Sequence, residues 1–293
     1  MIREQILLLI ETPIYLVFIL GEMLISSIQN TKSYSTKDTA INLLCTGLNF
    51  GLDILMRGVT LGALVFAFQF APIQIENQIL YWGLLFLGQD FLYYLLHVVD
   101  HYTRFFWAVH VTHHSSEKFN FTVAIRSSVF QPLYRFVYYM PLAILGFQPL
   151  DILFMYALCQ TYGFFVHTEK INKMGFLEWF MVTPSHHRVH HAKNPIYLDK
   201  NMGMVLIIWD RIFGTFQAET EKPEFGLTTP LKTGSPGEVI FGEWKKLIQD
   251  LNRPVSFQTK IRYLFNPPGW CPDGSTLTSE QIRKKLRIIQ EKE

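Results

Sequence analysis

The sequence contains little of what a disulfide-stabilised, zinc-cysteine or nucleic-acid-binding protein needs. Its 293 residues include three cysteines, Cys45, Cys159 and Cys271, which are far apart and odd in number. They provide neither a disulfide framework nor a paired-cysteine metal site. The formal net charge is only +2, so nothing in the overall charge favours a nucleic acid or another polyanion as partner. A reducing environment for the polar part of the chain is consistent with this composition.

Long apolar runs, by contrast, are abundant. Segments 6–28 and 79–99 approach the ~20 residues that cross a ~30 Å hydrocarbon layer. Segments 129–145 and 150–166 are shorter and are joined by "GFQP", which predicts a tight helical hairpin. Segment 40–70 is apolar but interrupted, so we expect one span plus an interfacial piece there; the interruptions are Gly51, Arg57, Gly58 and Gly62.

The first apolar run is not typical of a cleaved signal peptide. Glu11 and Glu22 interrupt it and no small-residue cleavage site follows, so we predict a retained helix. The two glutamates are about three turns apart and share a helix face. Carboxylates inside a membrane normally point into the helix bundle. We therefore expect a structural polar pair or an entry path for water rather than a catalytic role.

Basic residues are distributed unevenly between the segments that connect the apolar runs. The connections "APIQIEN" and "GFQP" have no lysine or arginine, whereas most basic residues lie near the histidines: Lys32, Lys37, Arg104, Lys118, Arg126, Lys170, Lys173, Arg188, Lys193 and Lys200. By the positive-inside rule this side is cytoplasmic. The predicted fold is all-α: a multi-pass transmembrane helical bundle with a cytoplasmic, histidine-rich di-metal cap.

Three regions are predicted along the chain. Residues 1–75 hold N-terminal membrane helices, residues 76–219 a catalytic domain of membrane helices and histidine clusters, and residues 220–293 a hydrophilic cytoplasmic segment. The segment from Thr278 begins with Thr-x-x-Gln and has apolar residues on one face, which predicts a capped amphipathic tail helix lying on the surface.

All ten histidines lie between His97 and His191. "HVVDH" is H-x3-H, a spacing that places both rings on one face of a helix. "HVTHH" and "HRVHH" are both H-x2-HH, in which the adjacent pair diverges, so one segment can reach two ions. The members of these three clusters, with one further histidine at the end of the hairpin, are His97 and His101, His110, His113 and His114, His187, His190 and His191, and His167.

So many imidazoles near a bilayer are costly unless they coordinate a metal. Structural zinc usually needs four ligands, often cysteines, and haem needs two axial ligands. Imidazole sites suit iron, copper, nickel or zinc. Eight or nine ligands indicate a dinuclear centre, with iron preferred for dioxygen chemistry. A metal-binding membrane protein without catalysis, such as a carrier, is the alternative; it is disfavoured because the histidines gather at one face rather than at the midplane.

The three clusters resemble the histidine signature of the fatty acid hydroxylase and sterol desaturase superfamily of membrane di-iron enzymes. Longer stretches, including "HHSSEKFNFTVAIRSSV", "TPSHHRVHHAKNP" and "PPGWCP", are similar to its alkylglycerol monooxygenase branch. The resemblance implies two iron ions held by the eight clustered histidines, with His167 as a ninth ligand. Some relatives have a further histidine four residues earlier, where this chain has Gly163.

The resemblance also implies an integral membrane lipid monooxygenase that uses dioxygen as co-substrate. The closest reading is hydroxylation of an ether lipid beside its oxygen, with tetrahydrobiopterin as reductant; a redox protein is the alternative electron donor. Sterols, fatty acyl chains and ornithine lipids are alternative substrates, with hydroxylation or desaturation as the outcome. The expected location is the cytoplasmic membrane of a bacterium or the endoplasmic reticulum of a eukaryote.

Several polar residues are candidates for supporting the ligands. Asp90 and Tyr94 precede His97 on the same predicted helix, and a carboxylate beside a ligand histidine fixes its tautomer. His186 is a neighbour or a substitute ligand. Other candidate acceptors, for which a surface or capping role is equally expected, are Glu117, Glu169, Asp100 and Asp199. "WDRIFGT" is expected to serve packing and orientation.

Overall fold

The computed structural model describes residues 2–72, 75–232 and 234–290. Over these ranges the regular secondary structure is helical, apart from two isolated β-bridges. The first three helices are α1 (Ile2–Ile28), α2 (Thr36–Phe68) and α3 (Gln78–Tyr102). Each is long and apolar enough to cross a membrane. This agrees with the all-α prediction and with the apolar runs at 6–28 and 79–99.

Shorter helices follow α3. They are α4 (Arg104–His114), α5 (Phe121–Ala124), α6 (Arg135–Ile144), α7 (Pro149–Phe165), α8 (Pro184–His191), α9 (Ile208–Phe213), α10 (Pro236–Leu251), α11 (Phe257–Phe265) and α12 (Ser279–Gln290). Short 3-10 helices lie at Gln131–Leu133, Gly175–Trp179 and Pro195–Tyr197. The apolar core lies between α2, α3, α6 and α7, where Leu85, Leu142 and Ile152 are fully buried.

The predicted break in segment 40–70 is wrong, because α2 runs unbroken for 33 residues. At 1.5 Å per residue it is about 50 Å long, more than a hydrocarbon layer. A Cβ added at Gly51, Gly58 or Gly62 would meet nothing within 4 Å, so these glycines are compatible with a continuous helix. Arg57 is paired with Glu4 of α1, which compensates its charge within the bundle.

Segment 129–145 is not a membrane span by itself. The α-helix there, α6, has only 10 residues, about 15 Å, and a 3-10 turn precedes it. The turn exists because Gln131 and Tyr134 donate hydrogen bonds to the buried carboxylate of Asp100 on α3. The predicted hairpin is present: "GFQP" joins α6 to α7, with Gly146 at φ 99° and Pro149 in the first turn of α7.

The two glutamates of α1 point into the bundle, as expected. Glu11 accepts a hydrogen bond from Thr161 on α7. Glu22 accepts from the backbone N–H of Phe121 and from the hydroxyl of Thr168. Both carboxylates therefore tie α1 to the segments that lead to the histidines.

The C-terminal helices cover α4 from outside. Arg104 at the start of α4 forms ion pairs with Glu243 and Asp250 of α10. The tail helix α12 forms beyond Thr278, whose backbone N–H donates to the side chain of Gln281. The end of the predicted tail, residues 291–293, lies outside the described residues. The proposed division at 75 and 219 stays a prediction.

Candidate metal centre

The end of α3 and the whole of α4 supply the first two histidine clusters. His97 and His101 lie on one face of α3, with ring centroids 5.1 Å apart. Thr103, with extended backbone, separates α3 from α4. On α4, His110 and His114 are one turn apart, with Nε2 atoms 3.1 Å from each other. Two consecutive helices thus direct four imidazoles to one place.

The third cluster lies on the short helix α8, and its local sequence explains why that helix forms. Thr183 is the N-cap and its side chain accepts from the backbone N–H of His186. Pro184 follows at the first helical position, where its missing N–H costs nothing. His187 and His191 are therefore one turn apart on one face, while His190 faces another direction.

The nine predicted ligands form two groups in which the ligating atoms lie within 4.8 Å of one another. The five-histidine group comprises His97, His101, His110, His114 and His190. The four-histidine group comprises His113, His167, His187 and His191. The adjacent pairs on α4 and α8 are divided between the groups, as the H-x2-HH spacing predicts. That these residues bind iron stays a prediction.

The hydrogen bonds of the rings show that a cation fits each group. The Nδ1 atoms of His97, His113, His167 and His190 each face a backbone carbonyl, at 2.8, 2.9, 2.7 and 3.0 Å. A carbonyl only accepts, so Nδ1 carries the proton and Nε2 of a neutral ring keeps its lone pair. His167 Nε2 nevertheless lies 3.4 Å from His113 Nε2. Two facing lone pairs repel, and a metal ion that accepts both removes the conflict.

Electrostatics keeps these rings neutral. Burial lowers the pKa of His113 to about 4 and lowers the pKa of His190 well below its ordinary value. Neutral imidazole is the form that binds a metal. Several buried ring nitrogens have no hydrogen-bond partner within the described residues, including Nε2 of His101, His190 and His191. Unpaired buried acceptors are costly, and coordination would satisfy them.

Aromatic side chains enclose the two groups. Trp107 lies against His101, with ring centroids 5.1 Å apart, and Tyr93 lies 5.3 Å from His97. Phe119, which is fully buried, stacks on His167 at 5.6 Å. These rings place apolar surface directly beside the imidazoles.

Asp90 and Tyr94 do not contact the ring of His97 through any hydrogen bond that the structure shows. Asp90 accepts from the backbone N–H groups of Val205 and Leu206 and from the indole of Trp209. The hydroxyl of Tyr94 bonds to Thr215. Both residues hold the 205–215 segment against α3, so their support of His97 is indirect.

The remaining candidates separate clearly. His186 belongs to neither group; its ring Nδ1 lies 3.2 Å from the Met181 carbonyl and 3.4 Å from the backbone nitrogen of Thr183, the N-cap residue of α8. Glu117 and Glu169 are exposed, which agrees with the surface role that was expected as an alternative to supporting a ligand. At Gly163 a Cβ would lie 2.4 Å from the sulfur of Met204. Met204 therefore occupies the space beside this position.

Sequence reasoning missed most of the groups that orient the ligands. Backbone carbonyls of Arg126, Gly163, Lys200 and Met202 accept from ligand rings, and a carbonyl has no residue-type signal. Asp199, a candidate acceptor, does bond to His101, at 3.2 Å. Asp100 lies 3.6 Å from His110 Nδ1. The positions of the acidic residues in the sequence could not show that Asp199 and Asp100 lie beside histidine rings whereas other acidic residues lie on the surface.

The fold combines three helices long and apolar enough to cross a membrane with two adjacent histidine groups that could each hold a metal ion. Residues 82–215 match the family model of fatty acid hydroxylases, and this region includes all nine grouped histidines. This match confirms the predicted resemblance to the fatty acid hydroxylase family over residues 82–215.

Among curated proteins, the chain is similar to alkylglycerol monooxygenases. It is 37% identical to that of Homo sapiens over 92% of this chain and 62% of the relative. It is 36% identical to that of Xenopus tropicalis over 89% and 59%, respectively. The chain is also similar, more weakly, to the ornithine lipid hydroxylase OlsE of Rhizobium tropici. The identity is 29% over 56% of this chain and 48% of the relative.

The chain spans about three fifths of the length of the alkylglycerol monooxygenases that it matches. No solved structure gives a significant match.

Proposed function

We propose that this protein is an integral membrane di-iron hydroxylase that inserts one oxygen atom of dioxygen into a lipid C–H bond. The observation that carries the proposal is the pair of histidine groups, five and four residues, each with ligating atoms within 4.8 Å of one another. The family match and the similarity to lipid hydroxylases support the same chemistry.

The proposed ligands are neutral imidazoles without cysteine, a donor set that suits iron, copper, nickel or zinc. The resemblance to fatty acid hydroxylases and the dioxygen chemistry favour iron among these metals. Bound iron would supply the activation of dioxygen. The second oxygen atom would leave as water, with two electrons from an external reductant.

The chain's own residues would hold and shield the centre. Carbonyls that accept from Nδ1 fix the orientation of the rings, so that each Nε2 lone pair points inward. Trp107, Tyr93 and Phe119 would exclude water and confine a lipid chain near the metals. These roles need no movement of the helices, because the described geometry already brings the nine rings together.

The proposed topology places α1, α2 and α3 across the membrane, with the histidines on the cytoplasmic side. The end of α1 and the start of α2 lie near the site: Lys118 donates to the carbonyl of Lys32, and Asn120 donates to that of Ser33. The end of α3 carries His97 and His101. The basic residues cluster on this side of the chain, which by the positive-inside rule faces the cytoplasm.

The substrate class favoured first is an alkylglycerol. Hydroxylation of the ether lipid at the carbon beside its oxygen would form a hemiacetal, which collapses to an aldehyde and a glycerol product. Tetrahydrobiopterin is the first reductant to test and a redox protein the second. The similarity to an ornithine lipid hydroxylase favours an amino-acid lipid as the second substrate.

The experiment uses the purified full chain in detergent, with metal content measured beside oxygen uptake and aldehyde release. Two irons per chain and aldehyde formed from an alkylglycerol with tetrahydrobiopterin are expected. Two irons with turnover of a different lipid or donor would reject the substrate but retain the hydroxylase. Absence of bound transition metal would overturn the proposal.

A matched pair of variants tests the ligand assignment. His190→Ala removes a member of the five-histidine group and is expected to lose metal and activity. His186→Ala removes a histidine of the same helix that belongs to neither group, and this variant is expected to retain at least part of the metal and of the activity. Equal losses in the two variants would contradict the assignment.

A further inference from the structure

One four-residue stretch orients most of the five-histidine group. Residues 199–202 accept Nδ1 hydrogen bonds from three of its five rings, and the three pairs are His101 with the Asp199 carboxylate at 3.2 Å, His190 with the Lys200 carbonyl at 3.0 Å, and His97 with the Met202 carbonyl at 2.8 Å. The three rings come from α3 and α8, which are far apart in sequence. The stretch therefore acts as a common outer support, here named the 199–202 cradle.

Asn201 fixes the cradle from within. Its side chain is fully buried, and its Nδ2 donates to the carbonyls of His186 at 3.0 Å and Gln217 at 2.8 Å. Its Oδ1 accepts from the N–H of Gln217 at 2.8 Å. All three bonds attach the cradle to α8 and to the segment after α9. None of them goes to a ring of either histidine group, so Asn201 holds the backbone on which those rings depend.

Asp210 fixes the same backbone from the other side. It is fully buried and accepts from the N–H groups of Met202 at 2.6 Å and Gly203 at 2.8 Å. The peptide group that presents the Met202 carbonyl to His97 is thereby held by Asp210 through the N–H of Gly203, while Asn201 holds the preceding residue. "WDRIFGT", which holds Asp210, was expected to orient rather than react.

The cradle's backbone conformation is one that residues with a Cβ rarely adopt. Asp199 has φ 50° and Asn201 has φ 56°, both in the left-handed region, which asparagine and aspartate tolerate best. Such conformations persist when surrounding bonds impose them, and they concentrate at functional sites. Here the imposed bonds are those of Asn201 and Asp210.

Among the residues that the structure describes, no single stretch supports the four-histidine group in this way. His113 donates to the carbonyl of Arg126 and His167 to that of Gly163, which belong to separate elements. Loosening the cradle therefore removes orienting bonds from one group and leaves these two bonds of the other in place.

We propose that Asn201 and Asp210 are positioning residues for a metal ion bound by the five-histidine group. Metal binding at this group depends on the 199–202 cradle, whereas metal binding at the four-histidine group does not. The inference rests on the proposed function in requiring a metal ion in each group. Loss of supporting bonds behind metal ligands typically lowers metal affinity 10–100-fold, and this is the effect expected here for one ion of two.

The test measures ferrous iron bound per chain and its release to a chelator, using the full chain with Asn201→Ala or Asp210→Asn. Asn194→Ala is the matched control: Asn194 likewise donates twice and accepts once, to residues 221–224, but supports no histidine. Each substituted chain is expected to hold one iron as tightly as the unaltered protein and the other 10–100-fold more weakly. The control is expected to hold both.

Double variants identify the ion. Asn201→Ala combined with His101→Ala should lose no more than one iron, whereas Asn201→Ala combined with His187→Ala should lose both. Helical circular dichroism and retention of the tight iron report that the fold persists. Release of both irons together in both single variants, or unchanged release of both, overturns the inference. Failure of the unaltered protein to bind two metals would instead refute the proposed function.

Discussion

Arg126 offers a prediction whose size can be worked out from its contacts. Its side chain is fully buried, and its guanidinium makes four hydrogen bonds that join α2 to α4. The acceptors are the Thr112 carbonyl at 2.8 Å, Asp38 at 2.8 Å, Asn42 at 3.0 Å and the Ser115 hydroxyl at 2.6 Å. Arg126→Met fills similar space but removes the cation and its four donated hydrogen bonds, so that Asp38 keeps only neutral donors such as Ser116.

Removing one partner of a buried ion pair costs about 3–5 kcal/mol, because the other charge is left uncompensated. Asp38 is 20% exposed, so water partly solvates it and the lower end, about 3 kcal/mol, applies. That is roughly a hundredfold in the unfolding equilibrium. For a chain of this size it corresponds to a fall in Tm of about 6–12 °C, measured by circular dichroism in detergent.

Two controls make this prediction refutable. Arg253→Met removes a cation that is 56% exposed and paired with Asp250, and it should change stability by no more than ~1 kcal/mol. Adding Asp38→Asn to Arg126→Met should recover part of the loss, because the unpaired charge is gone. A fall in Tm no larger than that of Arg253→Met, or no recovery in the double variant, would show that the reasoning is wrong.

Three further predictions concern anchoring, a turn and metal removal. Asp90→Asn replaces one acceptor of the 205–209 segment by a donor, so it should cost about 1–3 kcal/mol, seen as a lower unfolding temperature; an unchanged temperature would contradict the anchoring role. Gly269→Ala places a Cβ 2.2 Å from a carbonyl oxygen, at a residue with φ 84°, so limited proteolysis should cut the C-terminal segment faster in this variant. Gly274→Ala is the control, because its Cβ meets nothing within 4 Å. Equal cleavage rates in the two variants would argue against the clash. In chelator-treated protein, burial lowers the pKa of His113 to about 4, below the ~6.5 of an unfolded chain. The unfolded state then binds more protons between these values, so stability should fall as pH drops from 6.5 to 4, by up to about 3 kcal/mol from this residue; a Tm constant over that range would refute it.

The sequence alone was sufficient to identify the nine histidines that the structure brings together in two groups, because spacings of three and four place side chains on one face of any helix. It also located two of the three long apolar helices. It failed for α2, since glycine and one arginine inside an apolar run look like breaks until Glu4 is seen beside Arg57. It overestimated the length of the helix in segment 129–145, because the 3-10 turn there is held by hydrogen bonds to Asp100, which lies on α3.

The support of the ligands was less accessible. Asp90 is suitably spaced from His97 along α3, yet its bonds go to residues 205–209. The groups that do accept from the rings are largely backbone carbonyls, whose positions depend on the path of the chain and not on residue type. Asn201 therefore had no signal beyond its place in "DKNMGM".

The sequence by itself determined that long apolar helices and closely spaced histidines share one chain, because composition and local periodicity are properties of neighbouring residues. Only the tertiary structure decided that His113 and His114 serve different groups, that His190 joins the rings of α3, and that residues 199–202 support three rings together. Those assignments depend on which distant segments meet in space, and contacts between distant segments are set by packing of the whole bundle.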